Sequence, residues 1–459
     1  MGGSGFVWVS HGAESAVMTR LFGTDGVRGV ANSELTPDLT LTLGRAAGRV
    51  LAPGGVVVAG RDTRVSGPML EGALVAGLCS AGAEVHLAGI IPTPAIAFLT
   101  LDEGAHAGAV ISASHNPVPD NGIKFFSSEG LKISAEAELA IEELMEAELG
   151  DLPAGDAVGT ARPLAGALDR YLDHLLGAVH GSLRRLRVVV DCAFGAAWEA
   201  GPRALTAAGA DVISLHAEPD GRRINVDCGS TSLGELTRTV IAESADLGLA
   251  FDGDADRVLA VDEKGNEVDG DRIIALAALR MHEAGQLKNN LVVTTVMTNL
   301  GFHRALQDRG IEVAAAPVGD KHVAETMADR GAMLGGEQSG HVIWAEHSTT
   351  GDGVLTGMKL AEIVATSDRP LSELCDVFET YPQVLINVPV ASRGALQSAE
   401  PVWAEVRKSE AELGDDGRVL LRASGTEPLV RVMVEAVDET TARRTAESLA
   451  RVVERELGA

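Results

Sequence analysis

Short apolar runs that end in polar, glycine-rich loops recur along this chain. Val56–Ala59, Arg187–Val190 and Leu291–Thr294 are dominated by valine and other β-branched residues, which is typical of buried strands. Each run is followed by a predicted helix and then by a glycine that opens the next strand, in the sequences GAEV, GADV and GIEV. Three copies of this unit predict three related α/β domains with mixed, largely parallel sheets.

Each repeat then contains one more apolar strand, and that strand leads into a polar loop. The three loops are Ser112–Pro117, Asp252–Arg257 and Gly335–His341. Ligands in open α/β sheets bind at the carboxyl ends of the strands. Three equivalent loops therefore predict one site that is shared by three domains.

The pattern changes after residue 380. Val384–Val390 and Val419–Arg422 are predicted strands, and Leu429–Val437 alternates apolar and polar residues like a half-buried strand. A long amphipathic helix closes the chain, which predicts a smaller C-terminal α+β domain. The predicted division is an N-terminal extension at 1–17, followed by domains at 18–160, 161–262, 263–380 and 381–459.

Composition excludes several classes of protein. A net charge of -27 repels phosphate backbones and argues against nucleic-acid binding, so an anionic substrate would need a local cluster of positive groups. No apolar run reaches the roughly 18–20 residues of a membrane span. The cysteines are far apart and form no CxxC pair, which favours a reducing cytoplasm over disulfides or structural zinc. They are Cys79, Cys192, Cys228 and Cys375.

Ser114 lies in the first polar loop. The run AVISASHNP begins as an apolar strand and turns at Asn116-Pro117, because a proline disfavours helical conformation in the residue before it. A serine hydroxyl at the end of a strand, next to His115, is a candidate nucleophile. The alternative is an ordinary loop serine beside a turn asparagine.

Three aspartates alternate in the second loop, DGDADR: Asp252, Asp254 and Asp256. Carboxylates this close repel one another unless a cation holds them, so the loop predicts a divalent-metal site. An EF-hand is excluded because Arg257 stands where that loop requires glycine, and because a strand precedes it. Oxygen ligands favour Mg²⁺, and an exposed acidic loop is the alternative.

A positively charged loop, RASGTEP, lies in the last domain. It begins at Arg422 and combines hydroxyl groups with a glycine turn, and Arg431 follows in the next strand. Backbone N–H groups, hydroxyls and guanidinium groups bind phosphate dianions. The loop could supply the positive cluster that an anionic substrate requires, and a β-turn with salt-bridged arginines is the alternative.

Glu337 and Ser339 lie between glycines in the third loop, where they could bind sugar hydroxyls. Other polar residues in or near glycine-flanked loops could contact phosphate or carry protons, with solvated side chains or surface salt bridges as the alternative. They are Arg28, Arg61, Arg64, Lys124 and His322.

Taken together, the motifs identify a family resemblance. SASHNP, DGDADR, GGEQSGH and RASGTEP occur in the order and spacing of the α-D-phosphohexomutase superfamily, and the chain resembles that superfamily from Arg20 to its end. The motif FGTDGVRG and Gln338 are similar to the corresponding residues of bacterial members that act on amino sugars. The resemblance implies a heart-shaped arrangement of the four domains.

The resemblance also implies residue roles. Ser114 would be modified to phosphoserine and act with the further catalytic residues His115, Lys124 and Arg28. One Mg²⁺ per active site would be held by Ser114, Asp252, Asp254 and Asp256. Glu337 and Ser339 would hold sugar hydroxyls. The full set of substrate-binding residues would be Arg257, His322, Glu337, Ser339, Arg422, Ser424, Gly425, Thr426 and Arg431.

The implied activity is interconversion of glucosamine 6-phosphate and glucosamine 1-phosphate, with glucosamine 1,6-bisphosphate as intermediate and activator. Such a cytoplasmic enzyme would supply amino-sugar nucleotide precursors for the cell wall. Its partner would be a small phosphosugar, with no nucleic acid and no membrane, and a homodimer is possible. Two alternatives stay open: the same chemistry on glucose or mannose phosphates, and a non-catalytic sugar-phosphate-binding protein of the same fold.

Overall fold

The computed structural model describes residues 20–23, 25–147, 150–367, 369–424 and 428–458. The predicted N-terminal extension, Met1–Val17, lies outside these residues. The described residues form four sheets with helices packed against them, as the repeat pattern predicts. One apolar core runs from the first sheet through the second and third, whereas the fourth sheet has a core of its own.

The first domain contains a six-stranded sheet in the order β1-β5-β4-β2-β3-β6. Its strands are β1 (Val27–Val30), β2 (Val56–Arg61), β3 (Glu84–Ile90), β4 (Ala107–Ile111), β5 (Asp120–Ser127) and β6 (Ala161–Pro163). Its helices are α1 (Pro37–Leu51), α2 (Gly67–Ser80), α3 (Thr93–Asp102) and α4 (Ala135–Glu146).

The second domain contains a five-stranded sheet in the order β11-β10-β9-β7-β8. Its strands are β7 (Arg187–Asp191), β8 (Asp211–Leu215), β9 (Leu247–Phe251), β10 (Val258–Asp262) and β11 (Glu267–Val268). Its helices are α5 (Ala167–Ala178), α6 (Ala197–Ala207) and α7 (Gly234–Glu243).

The third domain contains a four-stranded sheet in the order β13-β12-β14-β15. Its strands are β12 (Leu291–Thr295), β13 (Glu312–Ala316), β14 (Leu334–Gly336) and β15 (Val342–Trp344). Its helices are α8 (Gly270–Glu283), α9 (Leu300–Gln307), α10 (Asp320–Arg330), α11 (Gly353–Ala365) and α12 (Leu371–Leu374).

The fourth domain contains a three-stranded antiparallel sheet in the order β16-β18-β17. Its strands are β16 (Gln383–Pro389), β17 (Gly417–Ala423) and β18 (Leu429–Ala436). Its helices are α13 (Glu400–Leu413) and α14 (Glu439–Leu457). Alternation of apolar and polar residues along β18 and the apolar face of α14 place this domain's core between sheet and helices.

The first three sheets share one topology. Their strands follow the orders β3-β2-β4-β5, β8-β7-β9-β10 and β13-β12-β14-β15, with the first three strands parallel and the last antiparallel. The predicted repeat is therefore confirmed at the level of strand order. Equivalent loops after β4, β9 and β14 leave their sheets at equivalent edges, which brings the three polar loops to one site.

Two predicted boundaries differ from the sheets. Ala161 pairs with Val85, so β6 extends the first sheet beyond residue 160. The hairpin β10–β11 extends the second sheet beyond residue 262, because the Asp262 carboxylate accepts hydrogen bonds from the N–H groups of Lys264 and Asn266 and holds the turn closed. Local composition does not reveal the pairing of β6, because its partner β3 lies far away in the sequence.

The third and fourth domains meet at a buried carboxylate. Glu435 of β18 accepts hydrogen bonds from Arg418 Nε at 2.6 Å and from the N–H of Leu300 at 3.1 Å. Arg418 Nη2 also donates to the Thr298 carbonyl at 2.5 Å. These bonds join β17 and β18 to the start of α9.

Among the residues described, no helix combines the length and the apolar composition that crossing a bilayer requires.

Helices α1 and α2 approach closely at Gly77, and this contact generates a prediction. A Cβ atom on Gly77 would lie 2.3 Å from the Leu41 carbonyl oxygen. We expect Gly77→Ala to lower the free energy of unfolding by about 1–3 kcal/mol, because the helices must move apart. Urea unfolding followed by circular dichroism measures the change.

Gly72→Ala on the same helix is the matched control. A Cβ at Gly72 meets no heavy atom within 4 Å in the described part of the chain. This variant should be about 0.5–1 kcal/mol more stable than the parent, because alanine favours helix. Equal stability of the two variants would contradict the close packing.

Candidate active site

Ser114 lies where the first and second domains meet. Its side chain is buried, and its Oγ donates a hydrogen bond to Asp252 Oδ2 at 2.5 Å and lies 3.2 Å from His115 Nδ1. The residue has a φ of 52°, a conformation that is strained for a side chain with a Cβ. The structure thus places the predicted nucleophile in direct contact with the predicted metal loop.

Three buried carboxylates face this serine. Asp252, Asp254 and Asp256 offer oxygen atoms within 4.8 Å of one another. Burial, reinforced by the charges of Asp256 and Asp254, raises the pKa of Asp252 well above its usual value. Within the described residues, the Oδ1 atoms of Asp254 and Asp256 have no hydrogen-bond partner. Unpartnered buried carboxylate oxygens in an all-oxygen set suit Mg²⁺, so these residues fit the predicted ion.

Lys124 supplies a buried positive charge beside these carboxylates. Its Nζ lies 3.0 Å from Asp254 Oδ2 and 3.1 Å from Asp25 Oδ2. Burial alone would lower the pKa of Lys124, but Asp25, Asp254 and Asp256 outweigh it and raise that pKa above its usual value. Lys124 is therefore an ammonium group at neutral pH, suited to stabilising negative charge.

The side chain of His115, unlike that of Lys124, is uncharged at neutral pH. Burial, together with the positive charges of Arg257 and Arg28, lowers the pKa of His115 to about 4. Its imidazole is therefore neutral at pH 7 and can exchange a proton with the adjacent Ser114 Oγ.

Two guanidinium groups complete this end of the site. Arg28 of β1 donates from Nη1 to Asn116 Oδ1 at 3.1 Å and pairs with Asp25. Arg257 Nε lies 3.8 Å from Asp256 Oδ1. In the described part of the chain, Nε of both arginines is buried without a hydrogen-bond partner. Both groups can donate to a phosphoryl oxygen.

The third-domain loop begins later than predicted, because Gly335 and Gly336 belong to β14 and pair with β15. Glu337 Oε1 accepts a hydrogen bond from the Gly319 N–H at 3.1 Å. Ser339 Oγ is buried and has no hydrogen-bond partner among the described residues, which suits a sugar hydroxyl. Gln338 Nε2 instead donates to Asp269 Oδ2 at 3.2 Å, so its side chain stabilises the start of α8.

A cavity of about 670 Å³ lies between the first, third and fourth domains. Arg422 and Arg431 line it from directly opposed positions on β17 and β18. Burial and the neighbouring charge of Arg431 lower the pKa of Arg422, so an anion between these two groups would relieve their repulsion. Gly425 and Thr426 of the predicted phosphate loop lie outside the described residues. Further lining residues are Arg20, Gly319, Lys321, His322, Glu325 and Ser424.

His322 lies on this cavity wall, away from the nucleophile's immediate contacts. Its side chain is 46% exposed, and its Nδ1 lies 3.5 Å from a Glu325 carboxylate oxygen. The structure thus places it with the fourth-domain arginines, where a substrate contact is available to it.

Two arginines proposed as anion ligands have structural contacts instead. Arg61 Nε pairs with Glu71 at 3.2 Å. Arg64 is completely buried, and its donors bind Asp62 and main-chain carbonyl oxygens. The expectation that Arg64 binds an anion is wrong, because no donor is left for one among the described contacts.

Several site residues escaped the sequence analysis. Asp25 binds Lys124 and Lys132, and Lys132 also pairs with Asp320 of the third domain. His341 Nδ1 lies 3.6 Å from Asp256 Oδ2. Asp25 and His341 are within the motifs FGTDGVRG and GGEQSGH, so their positions carried a signal.

Family models cover most of the chain. The model described as phosphoglucomutase/phosphomannomutase alpha/beta/alpha domain I matches residues 19–150, domain II matches 169–265 and domain III matches 269–381. The model of the C-terminal domain matches residues 385–452. The chain belongs to the phosphoglucomutase/phosphomannomutase family.

Individual members of this family agree with the assignment. The chain is 53% identical over 447 residues to a protein from Frankia alni named phosphoglucosamine mutase, covering 95% of this chain and 98% of the relative. It is 52% identical to a protein of the same name from Nocardioides sp., covering 96% and 100%. A crystal structure of a phosphoglucomutase/phosphomannomutase family protein from Burkholderia thailandensis matches with a TM-score of 0.81 at 26% identity, covering 96% of this chain and 98% of that one. The four-domain fold of the family is thereby confirmed.

The three carboxylates generate a prediction about metal binding. Mg²⁺ should raise the melting temperature of the protein, because an ion that binds only the folded state stabilises it. At a Mg²⁺ concentration one hundred times its dissociation constant, the stabilisation is about 2.7 kcal/mol. Asp252→Asn should abolish this increase, because it removes one charged oxygen ligand at nearly constant shape. Thermal unfolding with and without Mg²⁺ measures both effects.

Asp211→Asn is the control, because Asp211 is exposed at the start of β8. It should keep the full response to Mg²⁺. An Asp252→Asn protein that responds as strongly as the parent would contradict the assigned site.

Proposed function

We propose that this chain is a phosphoglucosamine mutase, which interconverts glucosamine 6-phosphate and glucosamine 1-phosphate. The contact between Ser114 Oγ and Asp252 carries the proposal, because it joins a nucleophile to a buried acidic loop of another domain. The family assignment and the names of relatives that are 52% and 53% identical over nearly the whole chain support the choice of an amino sugar.

In the proposed cycle, Ser114 carries the phosphoryl group as phosphoserine. A sugar hydroxyl attacks phosphorus, a new phosphorus–oxygen bond to the sugar forms, and the bond from phosphorus to Oγ breaks. The hydroxyl loses its proton to a base, and Oγ takes up a proton. The resulting glucosamine 1,6-bisphosphate reorients and returns its other phosphoryl group to Ser114, so no phosphate is consumed.

His115 is the group that we propose exchanges the proton with Oγ. Its Nδ1 lies 3.2 Å from that oxygen and its ring is neutral at pH 7. A phosphoryl group beside it would raise its pKa and make it a better base, because nearby negative charge favours the protonated ring.

Positive charge balances the phosphoryl group during transfer. Lys124, Arg28 and Arg257 supply it from the protein, with the geometry described above. Mg²⁺, held by Asp252, Asp254, Asp256 and the phosphoserine, would add Lewis-acid polarisation of a phosphoryl oxygen. Catalysis then consists mainly of positioning and charge neutralisation.

The rest of the substrate would occupy the cavity between domains. Arg422, Ser424 and Arg431 would bind the non-reacting phosphate, together with Gly425 and Thr426 of the same loop. Glu337 and Ser339 would bind sugar hydroxyls, and His322 would contact the substrate from the cavity wall.

We place the proposed enzyme in the cytoplasm, where its product would supply amino-sugar nucleotides for the cell wall. All four cysteines, each within the described residues, are free thiols, which suits a reducing compartment. The homodimer stays a prediction, which light scattering after size-exclusion chromatography checks.

A steady-state assay with Mg²⁺ and a trace of the matching bisphosphate tests the function. Glucosamine, glucose and mannose 6-phosphates are compared at equal concentration. We expect the highest kcat/KM for the amino sugar. Preference for glucose or mannose phosphate would replace the substrate but keep the chemistry, and inactivity on all three would favour a non-catalytic binding protein.

Replacement of the nucleophile tests the phosphoserine. Ser114→Ala should lose mutase activity by at least about 10⁴-fold, because the covalent route is gone. Its melting temperature should stay close to that of the parent. Intact mass spectrometry before and after phosphatase should show one removable phosphoryl group on the parent and none on the variant.

Ser128→Ala, at an exposed serine of the same domain, controls for the substitution itself. It should retain parental activity. Normal turnover by Ser114→Ala would rule out the proposed mechanism.

Replacement of Arg422 tests the distal phosphate site. Arg422→Ala should raise KM for glucosamine 6-phosphate by about 10–100-fold, the equivalent of losing one charge-assisted contact of roughly 1.5–3 kcal/mol. Arg443→Ala, at an exposed arginine on α14, should leave KM unchanged. An unchanged KM for Arg422→Ala would place the phosphate elsewhere.

A further inference from the structure

One buried guanidinium holds the loop that carries Ser114. Arg64 Nη2 donates to the carbonyl oxygens of Ser114 at 3.0 Å and Asn116 at 2.7 Å. Nη1 donates to the carbonyl oxygens of Pro117 at 2.6 Å and Asp120 at 2.9 Å. Four carbonyl groups between Ser114 and the start of β5 thus converge on a single side chain.

Asp62 completes these contacts and extends them. Its Oδ2 accepts from Arg64 Nε at 3.0 Å and from Ser112 Oγ at 2.6 Å. Ser112 Oγ in turn accepts the hydrogen bond of the Ser114 N–H at 2.9 Å. Both the carbonyl and the amide of Ser114 are therefore held from the end of β2, and all five N–H donors of the Arg64 side chain are used.

The second domain binds the same loop. Asn225 Nδ2 donates to the carbonyl oxygens of Ser114 at 2.9 Å and Asn116 at 3.3 Å. Gly253 approaches so closely that a Cβ there would lie 2.6 Å from the Ser114 carbonyl oxygen. Two domains thus hold the Ser114 carbonyl, from different directions.

Without these contacts, the carbonyl groups of this loop would be free to turn towards a phosphoryl group on Ser114. Carbonyl oxygens carry partial negative charge, so they repel a phosphoryl group and one another. A planar guanidinium can gather four of them in one fixed geometry, whereas a lysine ammonium has only three donors and no such fork.

We propose that Arg64 is a positioning residue for phosphoryl transfer, which holds Ser114 at its strained φ and keeps the loop carbonyls away from the phosphoryl oxygens. This inference rests on the proposed function, because it takes Ser114 as the phosphoryl carrier. Arg64 itself touches no substrate.

Arg64→Lys tests the proposal, since it keeps the charge next to Asp62 and loses the fork. We expect kcat to fall by about 100-fold, as displacement of a reacting group by about 1 Å produces. KM for glucosamine 6-phosphate should change by less than about two-fold, because the distal phosphate site is untouched. The single-turnover rate of phosphoryl transfer from phosphorylated enzyme to sugar should fall as kcat does.

Arg61→Lys is the matched control. Arg61 ends the same strand and pairs with Glu71, but contacts no carbonyl of the Ser114 loop among the described hydrogen bonds. It should keep parental kcat even if its melting temperature falls. Parental kcat in folded Arg64→Lys, with only a lower melting temperature, would overturn the proposal and leave Arg64 a purely structural residue.

Asn225→Ala provides an independent route that does not disturb a buried charge. It should lower kcat by about 3–10-fold, and its effect should not add to that of Arg64→Lys, because both side chains bind the same carbonyl oxygens. If Arg64→Lys does not fold, an unchanged kcat in Asn225→Ala overturns the proposal. The activity of the parental protein on the three sugar phosphates tests the proposed function separately. The kcat of each variant is then compared with the parental kcat on whichever sugar phosphate the parental protein uses.

Discussion

The ammonium group of Lys124 lies in the interior where two domains meet, between Asp25 of the first and Asp254 of the second. A buried charge is tolerated only while its partners stay in place, and removing one partner of such a pair costs about 3–5 kcal/mol. The two domains therefore cannot separate at this point without isolating charge. The contact of Ser114 with Asp252 depends on that constraint, because it joins the same two domains at the same acidic loop.

Charge is organised in the same way, with the sign reversed, in the cavity between the first, third and fourth domains. The chain carries a net charge of -27, yet Arg422 and Arg431 face each other on neighbouring strands. The carboxylates of Asp252, Asp254 and Asp256 suit a cation, whereas the two arginines in this cavity suit an anion. Under the proposed function, the two arginines would bind one phosphate of the sugar, and Mg²⁺ at the acidic loop would offset the charge of the other.

Features of the fold that depend on neighbouring residues could be predicted from local sequence patterns. Three strand–helix–strand units gave the repeated topology, and the alternation of Asp252, Asp254 and Asp256 gave the acidic loop. Strands β1 and β6 could not be predicted, because each is defined by its pairing with a distant strand. Asn225 is likewise invisible in sequence, since it contacts Ser114 from 111 residues away. The position of Arg64 after a strand indicated a functional role. Its burial, which the sequence does not show, distinguishes a residue that holds the loop from one that binds an anion.

Strand β18 connects two features that serve different purposes. Glu435 near its end binds α9 of the third domain, and Arg431, four residues earlier, lines the cavity between the first, third and fourth domains. At about 3.3 Å per residue the strand makes an arm of about 13 Å between them. A turn of about 10° around Glu435 would carry the arginine through about 2 Å, roughly the difference between a made and a broken hydrogen bond. A small rotation about one carboxylate would therefore change how far Arg431 reaches into this cavity.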